Sequence, residues 1–135
     1  MAALTVGDKS FHVNKAERNE QFYRAHNLCA SDFNEWAIVV LFYASMHYVD
    51  AVLCQDTSLP LTMRNPTDHR TRNAAVSRCS QLGPVAPMYA DIRDRCWEAR
   101  YHIITFPGNY LGKFENRVFK PTRAYLRKTL GLANQ

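Results

Sequence analysis

Between residues 33 and 55 the chain carries an unbroken helical pattern that is apolar on both sides. At about 100° per residue, Trp36, Val40, Tyr43, His47, Ala51 and Cys54 share one face, and Ile38, Leu41, Phe42, Val49, Val52 and Leu53 share the opposite one. A helix with two apolar faces must be sandwiched between neighbours. The segment therefore predicts the centre of a helical bundle. Ser31 or Asp32 is placed to cap its start, with Glu35 near the third helical position as in a capping box.

The rest of the chain supplies the neighbours. Glycine is absent between Gly7 and Gly83, and no stretch alternates convincingly with period two. A first helix is expected over 14–29, with Phe22, Ala25 and Cys29 on one stripe. After a turn around Ser58-Leu59-Pro60, Asn65-Pro66-Thr67-Asp68 reads as a helix start. The third helix would run over 68–82 and stop at Gly83-Pro84. Pro87 suits the first turn of a fourth helix reaching residue 102, with a buried stripe of Val85, Met88, Tyr89, Ile92, Cys96, Ala99 and Ile103. Phe106-Pro107-Gly108-Asn109 reads as a turn. A basic helical segment follows, with a break expected at Pro121 and a stop at Gly131. The expected fold is all-α: an antiparallel bundle of four principal helices plus this C-terminal piece, in one domain of 135 residues.

The longest apolar run, residues 36–44, is well short of the roughly 20 residues a membrane span needs. The first residues show no basic region followed by an apolar stretch. A soluble, cytoplasmic protein without membrane partners is the expectation. Cys29, Cys54, Cys79 and Cys96 form no Cys-x-x-Cys pair, so no zinc spacing is read and reduced, mostly buried thiols are expected. Charge is unevenly distributed. Residues 1–63 hold four Lys/Arg and seven Asp/Glu, a net of −3, whereas residues 64–135 hold thirteen and five, a net of +8. A basic half attracts phosphates by Coulomb steering and counterion release; it can also be an ordinary solvated surface.

No Gly-rich phosphate loop, Gly-x-Ser-x-Gly elbow, His-Glu-x-x-His or EF-hand loop is present, and no cofactor or metal set is read. Histidine and arginine in the third and fourth helices stand out instead. Arg95 and His102 are seven residues apart, about 700°, close to two full turns. So placed, a cation and an imidazole can grip a phosphodiester and move a proton beside it. Equally, Asp91 and Glu98 lie four residues before each and suit plain ion pairs. Arg100 suits a phosphate or a snorkelling position. His69 and Arg72 sit near a helix start, where free N–H groups favour anions. His47 reads as a core histidine satisfied by Tyr43 or Asp50, with a small-ligand pocket among the three as a lesser reading. Of the aromatics, Tyr89 reads as core and Trp97 as an exposed interface residue.

Three blocks occur in order: the aromatic- and small-residue-rich run over 36–51, then His69-x-x-Arg72-Asn73, then Tyr89-x-x-Ile92-x-x-Arg95-x-x-x-Ala99-Arg100-Tyr101. Over about residues 14–102 this resembles the HEPN superfamily (higher eukaryotes and prokaryotes nucleotide-binding), in its branch of small stand-alone domains. The resemblance implies RNA or nucleotide binding. It also implies a homodimer acting as a metal-independent endoribonuclease in a defence or toxin–antitoxin setting. His102 would then position or deprotonate a ribose 2′-hydroxyl, Arg95 would stabilise the scissile phosphate, and Arg100, His69 and Arg72 would hold nucleic acid. The alternative is a non-catalytic helical module paired with a nucleotidyltransferase-like protein.

Overall fold

The computed structural model describes residues 8–102 and 106–134. Among these residues there is no strand, and the chain is an all-α bundle. Helix α1 is Lys9–Ala25, α2 Asn34–Leu53, α3 the single turn Leu61–Arg64, α4 His69–Arg78, α5 Ala86–Tyr101, α6 Gly108–Phe114 and α7 Lys120–Thr129.

Helix α2 is the axis. Fifteen of its twenty residues are buried, and α1, α5 and α7 pack around it. All six residues of the face running from Ile38 to Leu53 are buried, but the face begun by Trp36 is graded. Trp36 stands in solvent, Val40, Tyr43 and His47 are half-buried, and Ala51 is buried. By length and composition α2 could cross a membrane, yet 78% of its apolar window is buried inside the bundle, as in a core helix. Its start differs from the expected capping box. Phe33 is the N-cap residue and provides no side-chain cap, while the Ser31 hydroxyl accepts from the Phe33 N–H and donates to the Leu28 carbonyl. Asn34, buried, donates to the Phe106 carbonyl and ties the start of α2 to the segment before α6.

Helix α1 begins earlier than its apolar pattern suggests, because Asp8 caps it by accepting from the Phe11 N–H at 2.7 Å. Its buried stripe is His12, Val13, Ala16, Glu20 and Tyr23; Phe22 and Ala25, expected inside, are exposed, and Cys29 is half-buried in a short 3-10 turn after the helix. The expected stripe was wrong because two of the true core positions, His12 and Glu20, are polar. Helix α4 starts where Asp68 accepts from the Thr71 N–H but ends at Arg78. Gly83-Pro84 lies within a 3-10 helix, Ser80–Val85, rather than ending α4. Helix α5 buries Tyr89, Ile92 and Cys96 as expected, with Met88 and Ala99 half-buried; Ile103 is outside the described residues.

The C-terminal segment is part of the core. Leu111, Phe114, Phe119, Leu126 and Leu130 belong to the same buried cluster as α2. Gly108 and Asn109, expected in a turn, open α6, with Pro107 as its N-cap. Between α6 and α7 the helix widens into a π-turn, Glu115–Phe119, closed by the Lys120 N–H on the Glu115 carbonyl. Proline at position 121 has no N–H to donate and crowds the carbonyl four residues back, and the widened turn accommodates both, so the helical path runs on from α6 into α7 rather than breaking there. Gly131, at φ +74°, ends α7 in the left-handed conformation. Its N–H bonds Lys128, and the Leu132 N–H reaches back to Arg127 at 2.8 Å.

Two buried polar links hold helices to α2. Arg72 of α4 donates to Asp50 from Nε at 2.8 Å and Nη2 at 3.1 Å, and to the Pro66 carbonyl from Nη2. Tyr48 donates to Glu20 of α1, which also pairs with Arg123 of α7. Tyr48 in turn accepts from Arg127 Nη1 at 2.9 Å, while Arg127 pairs with Glu17 at 3.0 Å. All four cysteines are free; Cys79 and Cys96 are buried and Cys29 and Cys54 half-buried.

Candidate nucleic-acid interface

A cleft of about 340 Å³ opens between the first turns of α4 and the outer face of α5. His69 and Asn73, one turn apart, come from α4. Arg93, Trp97, Arg100 and Tyr101 come from α5, at the i, i+4, i+7 and i+8 spacing that puts them on one side of a helix. The Phe42 and Cys96 side chains form its floor. Its size is at the small end of the roughly 300–1,000 Å³ typical of ligand sites.

Unlike Phe42 on the floor, the α5 rings in this cleft are not core residues. Trp97 is 55% exposed and Tyr101 61%, with centroids 5.4 Å apart. The Arg100 guanidinium lies 4.9 Å from the Tyr101 ring and donates to its hydroxyl at 2.9 Å, which holds an otherwise mobile cation beside a π-face. Arg93 shares the cleft with Asp94, its ion-pair partner at 3.2 Å. His69 reports the local potential. Its pKa is lowered, first by desolvation against the bundle and then by Arg72 and Arg100, partly opposed by Asp68, with a smaller push from Arg93. Three guanidiniums therefore oppose protonation of this imidazole; Arg72 and Arg93 are themselves paired with Asp50 and Asp94, which leaves Arg100 as the cation most open to an anion.

Arg100 and Tyr101 form a ridge, because they also line a second cleft of about 330 Å³ with Trp36, Val39, Tyr43, Ala99 and Glu35. Each cleft thus offers an exposed indole, Trp97 in one and Trp36 in the other, with a single arginine between them.

Of the five residues expected at a site, His69 and Arg100 are brought together across the first cleft. Arg72 is not with them. It is 6% exposed and its guanidinium is turned inward onto Asp50, so it raises the local potential without presenting a donor to phosphate. Arg95 and His102 do not share partners either. Arg95 pairs with Asp91 at 3.6 Å and Glu98 at 3.3 Å, as the ion-pair reading had it for Arg95, and lies near Tyr110 of α6. His102 is the C-cap, with extended backbone, so the two-turn register ends at Tyr101. Its ring packs on Trp97 at 4.9 Å, and the Glu98 carboxylate goes to Arg95 instead.

His47 also departs from expectation. Asp50 is occupied by Arg72, and His47 Nδ1 has no hydrogen-bond partner. The ring stacks on His12 with centroids 6.0 Å apart. Burial, then the proximity of His12, Arg72 and Lys15, pushes its pKa down to about 4.

Sequence reasoning missed Arg93 as part of the site, and it missed His12 altogether. The signal for Arg93 is the cation–aromatic spacing 93-97-100-101, which lies beside the buried stripe of the same helix. Comparison with family models, with curated proteins and with solved structures returns no match.

Proposed function

We propose that this protein binds single-stranded RNA along the outer face of α5, as a HEPN-type helical domain. What supports the reading is the pairing of exposed indole and phenol rings with His69, Arg93 and Arg100 in one cleft. Stacked rings accept any base face, and the guanidiniums and imidazole meet the phosphates. The second cleft beyond the Arg100–Tyr101 ridge favours a strand over a free nucleotide, since it gives a second base a ring of its own. The proposal stops at binding. Arg95, to which cleavage would fall, is already neutralised by two carboxylates.

The test is fluorescence anisotropy with an end-labelled single-stranded RNA of about twelve nucleotides, within the usual span of such sites. Saturable binding is expected, with Trp97→Ala weakening it by at least about fivefold, the loss of one base stack. AMP should compete poorly, and the RNA should stay intact in EDTA. Failure of the wild-type chain to bind, or equal binding by the Trp97 variant, would overturn the reading.

The second reading, a helical module for a protein partner or a second copy of itself, draws on the exposure of Trp36, Trp97 and Tyr101 at 55–61% on one side of the bundle. Light scattering on the purified chain distinguishes them: a dimer abolished by Trp36→Ala but with no RNA affinity supports the module.

A further inference from the structure

Beneath the surface of the α1–α2 contact, away from the cleft, three potential ligand side chains converge. His12 comes from α1; His47 and Asp50 come from one face of α2, three residues apart. One donor atom from each lies within 4.8 Å of the other two. A buried histidine in a packed core normally finds a hydrogen-bond partner for at least one ring nitrogen, since an unpaired polar atom costs about 1–3 kcal/mol. His12 is 7% exposed and neither of its ring nitrogens has a partner; Nδ1 of His47 has none either. Nothing in the packing accounts for placing two such rings face to face.

We propose that His12, His47 and Asp50 form a binding site for a divalent transition ion of the zinc type, with a fourth position left for water or an added ligand. Two imidazoles and a carboxylate are the donor set that zinc takes when one position stays open. Ligand atoms on a tetrahedral zinc, each about 2.0–2.1 Å from the metal, lie roughly 3.3 Å from one another. The present separation, within 4.8 Å, is about 1.5 Å wider than that at most, so binding would draw the three side chains together. Asp50 remains a ligand although Arg72 holds it. Each carboxylate oxygen has a second lone pair, and a guanidinium across both oxygens fixes the carboxylate's orientation as outer-shell partners of metal ligands do. The positive charges near the site are Arg72 and Lys15, and Asp8 faces it from the start of α1. With Asp50 as the one anionic ligand, Asp8 further off and two cations nearby, the site should bind metal moderately rather than tightly. Linking α1 to α2, the ion would add its binding energy to the stability of the bundle.

The experiment uses the full chain, stripped with chelator and titrated with Co²⁺ as a spectroscopic substitute. Visible d–d bands of a four- or five-coordinate ion are expected, saturating at one equivalent and bleached by Zn²⁺. His12→Gln and His47→Gln should each weaken binding by about tenfold or more, while His69→Gln, at an exposed imidazole, should leave it unchanged. Independently of either variant's folding, Zn²⁺ should raise the melting temperature of the wild-type chain. Absence of both the bands and the thermal shift would overturn the proposal, and would leave a buried water as the bridge between the rings. Equal Co²⁺ binding by all three variants would also overturn it, as adventitious capture by surface groups.

Discussion

Arg72 and Asp50, twenty-two residues apart in sequence, meet as a buried two-bond pair between α4 and α2, with side chains 7% and 5% exposed. Burial pushes the Asp50 carboxyl up, and the Arg72 guanidinium opposes that shift. The same contact raises the Arg72 pKa. Removing one partner leaves the other charge desolvated, which costs about 3–5 kcal/mol in comparable pairs. Arg72→Met and Asp50→Asn should therefore each lower the urea midpoint sharply. The double variant should be less damaging than the sum of the two, and a double-mutant cycle by urea denaturation checks this. Additivity would mean that the pair is not coupled.

This pair also marks where the sequence stopped being legible. Helix α2 could be read because its signal is apolar on every side, and no competing structure buries Ile38, Leu41, Phe42, Val49, Val52 and Leu53 together. Helix ends at Asp68 and Gly131 were legible for the same local reason, a side-chain cap and a left-handed glycine. What failed was every position where a polar residue is buried by a partner distant in sequence. Glu20 and Arg72 look like surface residues until Tyr48, Arg123 and Asp50 are placed beside them, and His12 is buried beside His47 without a hydrogen-bond partner. Periodicity carries no information about such partners. The Arg95–His102 register failed differently: it assumed a helix continuing through residue 102, and one residue of extended backbone sends the ring to Trp97.

Tyr48 is fully buried, donating to Glu20 and accepting from Arg127. Tyr48→Phe keeps the ring and deletes both bonds, each of them to a charged group. Such bonds contribute about 1.5–3 kcal/mol each, so the variant should lose about 2–4 kcal/mol after Arg123 and Glu17 retain the charges. Chemical denaturation with an unchanged slope would support this assignment. A loss below about 0.5 kcal/mol, within the range of neutral surface changes, would show that the network is dispensable.

His47 makes stability depend on pH. Its folded pKa of about 4 lies below the ordinary imidazole value of 6.5, so between those values the unfolded chain binds the proton that the folded chain refuses. Its contribution is complete above about pH 6.5 and is lost as pH falls towards 4. The shift corresponds to at most on the order of 3 kcal/mol. His12, lowered in the same direction by burial, adds to the slope. Melting temperatures across pH 4–7 should fall more steeply for the wild-type chain than for His47→Gln. Parallel curves would place the acid sensitivity elsewhere.

Two arginines of α5 differ in how far their charge is already compensated. Arg100 stands on the ridge between the two clefts, stacked on Tyr101 and with no carboxylate partner among the described residues, whereas Arg95 is bracketed by Asp91 and Glu98. A bound phosphate would take Arg100 as it stands but would have to displace two carboxylates from Arg95. Arg100→Ala should accordingly weaken RNA binding by about tenfold and reduce the slope of log affinity against log salt by about 1, the signature of one lost phosphate contact. Arg95→Ala should leave both within about twofold, since its charge is already compensated. Anisotropy titrations at several salt concentrations measure both quantities in one series. If Arg95→Ala proved the more damaging of the two, the strand would have to run along the α6 side of α5, where Tyr110 faces Arg95, and the cleft at Trp97 would not be the binding site.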